Sequence, residues 1–432
     1  MATRALRAFG LLTTFLTIAL AADGSADQLP RARPEDLGFS PSRLDYIDQF
    51  YAEKVKHGEM AGIITLVARH GKVAHFGAIG YADFARKQKL ETDTVFRLYS
   101  MTKPIAATAL MMLYEEGKFQ LDDPISKYIP NFKGVRVLRT PESPLTDTVP
   151  AVREATIHDL FRHTAGLKHG GEAYEKANLF GLDVSLSEMI QRLAQIPLYY
   201  QPGTHFEYSV GQDVQARLVE IFSGMPFDQF LRQRLFNPLG MKDTGYWVKD
   251  PSRLSAVHWM KEGKLVPCDD EHGCPSATDF LSDPKNMNSY TAEHVHKGGS
   301  YGLVATAEDY WRFAQMMLNG GQFQGQRILS PNTVRYIATD HLAPVTLPNE
   351  TGGDSGIGWG LGFAVVKNPT AAGVIGSVGS YFWAGAANTT FWIDPQKDLV
   401  VVVMMQSWNV PGADWPTIRA QMSAMVYGAL ME

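Results

Sequence analysis

The sequence predicts an α+β fold: an antiparallel sheet flanked by helices from the N- and C-termini, with a helical lobe inserted between its halves. Three observations predict it. Near the start, residues 62–68 and 73–79 are β-rich runs around Arg69-His70-Gly71-Lys72, which reads as a hairpin. Comparable runs return only beyond residue 360, at 360–366, 381–385, 388–394 and 399–405. Between these ends, residues 121–224 read as mostly helical and irregular. Strand segments at both ends of a chain imply one sheet built from sequence-distant parts.

Each element has a local cause. Ser40-Pro41 is an N-cap followed by proline at the first helical position, and Leu44, Ile47, Phe50 and Tyr51 form the apolar stripe of a helix to about residue 56. Behind Ser100, the residues Ile105, Ala106, Ala109, Leu110, Met112 and Leu113 recur at helical spacing. A short helix over 156–162 leads into His163-Thr164-Ala165-Gly166-Leu167. Ser185 and Glu188 make a capping box before 189–196, and 212–223 is a helix stopped by Gly224. Residues 227–235 are again helical, and 250–290 read as a polar surface excursion. Thr306 caps a helix over 307–318 that ends at Asn319-Gly320-Gly321. A turn at 395–397 joins the last two strands into a hairpin, and 400–403 has the composition of a strand buried on both faces. Ile418, Met422, Met425 and Val426 face inward on a closing helix over 417–430. The expected division is a leader over 1–21, a sheet domain from 22–108 and 225–432, and a helical domain over 109–224.

Composition narrows the function. The chain has 432 residues, 45% hydrophobic and 20% charged, with a net charge of −5. Without a Lys/Arg stripe or long charge runs, nucleic-acid binding is disfavoured. Arg4 and Arg7, the apolar run 8–20 and Ala19-Leu20-Ala21 have the layout of a cleavable export signal, so a periplasmic or secreted location without a membrane anchor is expected. An uncleaved anchor is the competing reading, and the run is short for a membrane span. Only two cysteines occur, Cys268 and Cys274, close together in a polar loop, and in an exported chain they read as a local disulfide. A metal site with Glu271 and His272 is the competing reading, but the ligand spacing matches no familiar pattern. No metal or other cofactor is expected.

The chemistry points to Ser100-Met101-Thr102-Lys103. A spacing of three places hydroxyl and amine on one face of the first helical turn. A lysine kept beside other cations in a dry pocket loses its proton and can accept the serine's, and the helix N-terminus favours a developing oxyanion. The bland reading is a helix-start serine near a surface lysine, and Ser282-Asp283-Pro284-Lys285 repeats the spacing in a loop-like stretch. Tyr208 follows the turn Gln201-Pro202-Gly203-Thr204 and precedes a helix. Its phenol can enter a cleft and share a proton there, or its ring can simply pack between lobes.

Ser100-Met101-Thr102-Lys103, Tyr208-Ser209 and Trp383-Ala384-Gly385 together resemble the three motifs of the serine β-lactamase and penicillin-binding-protein superfamily. Within it they are most similar to the family VIII carboxylesterases, which resemble class C β-lactamases. The stretches from Leu160 to Leu167 and from Gly298 to Leu303 are similar to further segments of that group, so the resemblance runs from about residue 37 to the C-terminus. It implies a β-lactamase/DD-peptidase-like fold, Ser100 as acylated nucleophile, and Lys103 with Tyr208 as coupled base and acid. It also implies an oxyanion hole from the backbone N–H groups of Ser100 and Ala386. Trp383 and Ala384 depart from the usual Lys-Thr-Gly, and Val210 from the asparagine of Tyr-x-Asn. With Trp383, Ala384, Gly385 and Val210 as substrate-facing positions, the polar handles for anionic, amide-bearing substrates are gone. Small uncharged esters are the expected substrates.

Other motifs are weaker. Gly298-Gly299-Ser300-Tyr301-Gly302 fits G-x-S-x-G, but lacks a buried strand before it and a helix straight after it, so Ser300 reads as loop. Gly353-Asp354-Ser355-Gly356 reads as a turn. His158, His163, His169, His294 and His296 read as surface or structural histidines. Hydrolysis of short-chain esters leads. β-Lactam hydrolysis, acyl transfer to an alcohol, and a slowly deacylating penicillin sensor remain open beside it.

Overall fold

The computed structural model describes residues 29–274, 289–342 and 355–431. The expected leader over 1–21, the second Ser-x-x-Lys at Ser282 and the Gly353-Asp354 pair lie outside the described residues. Among the described residues, no helix is long and apolar enough to cross a membrane.

Helix α1 (Pro41–Lys56) starts at the expected proline and buries Leu44, Ile47 and Tyr51. Strands β1 (Gly62–Arg69) and β2 (Lys72–Asp83) form the expected hairpin, with His70 and Gly71 both at positive φ in its turn. The short β3 (Gln88–Lys89) pairs with β2. Then come the central helix α2 (Thr102–Glu115), α3 (Gly211–Ser223), stopped at Gly224 with φ 71°, and α4 (Ala307–Leu318), capped by Thr306 on Asp309. Strands β4 (Ile357–Trp359), β5 (Ala364–Val366), β6 (Tyr381–Ala384), β7 (Thr390–Asp394) and β8 (Leu399–Met404) precede the last helix, α5 (Trp415–Ala429).

These strands make one eight-stranded sheet in the order β4-β5-β6-β7-β8-β1-β2-β3, antiparallel throughout. The two halves of the chain meet where β8 pairs with β1, Val403 opposite Thr65 and Val400 opposite Ala68. Alternation then assigns the faces. Ile64, Leu66, Val400 and Val402 join the large core that also holds α2, α3 and α4. Ile63, Val67, Val401 and Val403 join a second core under α1 and α5. Val400 to Val403 are fully buried, as a strand covered on both faces must be.

Two expectations need correction. The run 360–366 is not one strand: the chain turns between β4 and β5, with Gly362 at φ 90°. A Cβ at Gly362 would lie 2.4 Å from the Ala107 side chain, so the turn crosses α2 where only glycine fits. The excursion 250–290 is also not plain loop. Strands His258–Lys261 and Lys264–Pro267 pair around Glu262 and Gly263, both at positive φ. They join Ser407–Trp408 in a three-stranded side sheet. Cys268 and Cys274 are disulfide-bonded just beyond this hairpin, their Cα atoms 4.9 Å apart.

Candidate active site

Ser100 lies in a single 3-10 turn, Tyr99–Met101, that runs straight into α2. Tyr99 enters it at φ 46°, a left-handed conformation of the kind concentrated at functional sites. The rest of the motif is held from outside. The Tyr310 phenol donates to the Met101 carbonyl at 3.0 Å, and Thr102 Oγ1 accepts from the Leu303 N–H at 3.3 Å. Lys103 Nζ donates to the Ser300 carbonyl at 3.0 Å and to Ser100 Oγ at 3.3 Å. Ser100 is 8% exposed and Lys103 not at all. Their three-residue spacing therefore becomes a contact, not merely a shared face.

Burial pushes the Lys103 amine down to about 7, against an opposing pull from the Asp213 carboxylate. The dry pocket expected for this lysine is present, but the charge facing the amine is an anion and not the expected cations. Lys103 Nζ sits 4.5 Å from the centre of the Tyr208 ring, over its face. The phenol hydrogen-bonds with Ser100 and accepts the Trp383 Nε1–H at 3.2 Å. Burial raises Tyr208 above the ordinary tyrosine value, and those two hydrogen bonds oppose it only in part. Tyr208 is thus held as a phenol, beside an amine that gives up its proton more readily.

His163 and His169 pack on the Tyr208 ring, at centroid distances of 4.7 and 5.3 Å. Burial, with Lys103 nearby, holds both well below the ordinary imidazole value, His169 at about 3. His163 Nδ1 accepts the Ser209 backbone N–H at 3.1 Å, so it is the unprotonated ring nitrogen and locks the residue after Tyr208.

At the far wall, β6 ends against the Ser100 turn. A Cβ at Gly385 would lie 2.3 Å from the Leu98 carbonyl oxygen and 2.3 Å from Thr389 Oγ1, so the third motif's glycine is a matter of space. Trp383 and Ala386 are half-buried there, and Ala384 is buried. Val210 is only 1% exposed and lies in the large core. The structure thus gathers Ser100, Lys103, Tyr208 and Trp383 in direct contact and runs the Gly385 backbone alongside. Cys268 and Cys274 sit apart from these contacts, beyond the side hairpin. His163 and His169, read from the sequence as surface or structural, are buried against Tyr208, whereas Asp213 and the backbone of Ser300 were not anticipated. The Gly298-to-Leu303 stretch was the available signal for the last of these. Among the described residues, no group of three or more His, Cys, Asp or Glu side chains could hold a metal ion.

The tight passage at Gly385 predicts that Gly385→Ala loses about 1–3 kcal/mol in denaturant unfolding, as an overpacked site does. Gly170→Ala, where a Cβ meets nothing within 4 Å, should change little. Equal stability of the two variants would remove the steric account of this wall.

A family model described as Beta-lactamase matches residues 47–422. Protein Rv1367c of Mycobacterium tuberculosis is 34% identical over 364 residues, covering 81% of this chain and 86% of that protein. Esterase EstB of Burkholderia gladioli is 29% identical over 394 residues, covering 87% of this chain and 92% of that protein. Among solved structures, EstCE1, described as a hydrolase with promiscuous acyltransferase activity, is similar at a TM-score of 0.76 and 25% identity. That match covers 90% of this chain and 99% of EstCE1. With its antiparallel sheet, its central helix opened by Ser-x-x-Lys and this match over most of its length, the chain belongs to the beta-lactamase family, in the branch that resembles the family VIII esterases.

Proposed function

We propose that this protein hydrolyses short-chain carboxylic esters through an acyl-enzyme on Ser100, without a cofactor. The observation that carries the reading is the fully buried Lys103 amine, shifted to about 7 and 3.3 Å from Ser100 Oγ. Neutral Lys103 takes the hydroxyl proton as Oγ attacks the ester carbonyl. The oxyanion faces the backbone N–H groups of Ser100 and Ala386, each such donor being worth about 3 kcal/mol. Tyr208, kept as a phenol, gives its proton to the leaving alkoxide, and Lys103 restores it. Water then attacks the acyl group, its proton returns through the same pair, and Ser100 is regenerated.

The substrate class follows from what surrounds the serine. Trp383 stands where a carboxylate-binding lysine would, and its indole N–H is already engaged with Tyr208. Val210 brings no amide and is buried in the core. The similarity to Esterase EstB supports an ester substrate. The description of EstCE1 also supports acyl transfer as a second outcome of the same acyl-enzyme, and β-lactam turnover would use the same first step. In this reading the helical domain, 109–224, supplies Tyr208, and the sheet domain, 22–108 and 225–432, supplies Ser100, Lys103 and Trp383. The leader 1–21 would deliver the chain to the periplasm or beyond.

Ser100→Ala should abolish p-nitrophenyl ester hydrolysis with the fold intact, and Tyr208→Phe should lower it by about 10²–10⁴-fold. Retained turnover in Ser100→Ala would move the nucleophile elsewhere. Nitrocefin turnover exceeding ester turnover on one preparation would favour a β-lactamase instead. Because the amine must be neutral to act, kcat/KM should rise about tenfold per pH unit below 7 and level off above it. A profile that is flat or falling across that range would exclude Lys103 as the base.

A further inference from the structure

The Gly298-Gly299-Ser300 loop supplies a carbonyl to Lys103, and the loop's path is set by a single carboxylate. Asp213, on the first turn of α3, is wholly buried. Its Oδ1 accepts the backbone N–H of Gly299 at 2.8 Å and that of Ser300 at 3.1 Å. A Cβ at Gly298 would lie 2.6 Å from that same oxygen, and one at Gly299 would lie 2.1 Å from the Gln212 carbonyl. The glycine pair therefore lets the loop close onto α3. From the other side the Tyr246 phenol donates to the Gly298 carbonyl at 2.6 Å. Held this way, the Ser300 peptide points its carbonyl at Lys103 Nζ.

A neutral amine has two N–H groups and one lone pair. When the Ser300 carbonyl takes one N–H, the lone pair is kept off the carbonyl and one of the two remaining rotamers turns it to the Ser100 hydroxyl. We propose that Asp213 is a positioning residue for the base: it anchors the Gly299 and Ser300 amides and so keeps the Lys103 lone pair aimed at Ser100. The inference rests on the Ser100 acyl-enzyme reading. Asp213 Oδ2 is buried without a hydrogen-bond partner, so the carboxylate's charge is poorly screened from the amine. Its pull raises the pH at which Lys103 becomes neutral. The groups facing Lys103 are Asp213, Tyr208, His163 and His169. Those facing Asp213 are Lys103, Tyr208, Tyr246 and His296. Burial lowers all three histidines and raises both tyrosines, and the Asp213 carboxylate opposes that shift at His296 as it does at Lys103.

Labelling of Ser100 by a fluorophosphonate, followed by intact mass across neutral pH, tests this in the full chain without knowledge of the natural ester. Asp213→Asn keeps an oxygen for both amides and drops the charge, so the pH midpoint of labelling should move down by about half a unit or more. Asp213→Ala loses the acceptor too, and its plateau rate should fall about tenfold or more. A midpoint unmoved in Asp213→Asn, with wild-type labelling normal, overturns the role of Asp213 alone. So does an Asp213→Ala plateau within about twofold of wild type. If Asp213→Ala fails to fold by circular dichroism, the asparagine variant decides. Wild-type protein unlabelled at Ser100 overturns the acyl-enzyme reading, and this inference with it.

Discussion

A lysine amine with no access to water, in contact with a serine hydroxyl, is the interaction on which the rest of this structure depends. Moving that amine from its ordinary 10.5 to about 7 corresponds to about 5 kcal/mol of preference for the neutral form. The fold bears that cost. Between about pH 7 and 10.5 the unfolded chain holds a proton here that the folded chain does not, so stability contributed by this site rises with pH across that window and is lowest below it. A protein carrying such a penalty at its centre must compensate in packing, and the two cores on either side of the sheet are where it does so.

The architecture explains how the amine stays dry. Helix α2 carries Lys103 within the large core, where it packs against α3. The 3-10 turn before α2 meets the end of β6, so Ser100 sits at the rim while Lys103, one turn further in, does not. The sheet joins the first and last parts of the chain, and the segment between them brings Tyr208 over the amine. Hydroxyl, amine and phenol thus come together only when the whole chain is folded. The aromatic groups around Tyr208 add a second effect: they exclude water from the phenol and favour its protonated form.

Much of this was legible in the sequence. The hairpin around His70-Gly71, the helix capped at Thr306 and the buried strand through Val400 follow from local chemistry and were found where expected, while the helix capped by Ser185 runs over Leu186–Leu193, three residues earlier than expected. Ser100, Lys103 and Tyr208 were visible because each belongs to a short motif with its own reason. What escaped notice depends on contacts across the fold. Asp213 is an ordinary helix residue by sequence, and only its approach to Gly299 and Ser300 gives it a part. Trp383 read as bare apolar surface, although its N–H reaches the phenol. The side hairpin at Glu262-Gly263 was hidden in a polar stretch, because neither strand alternates strongly enough to announce itself.

Everything else follows if burial lowers the Lys103 amine into the neutral range. Carbon NMR of lysine labelled at the ε-position, with Lys103→Arg to assign the signal, reads this directly and needs no substrate. The Lys103 resonance should titrate with a midpoint near 7. A midpoint close to the ordinary lysine value of 10.5 would contradict it.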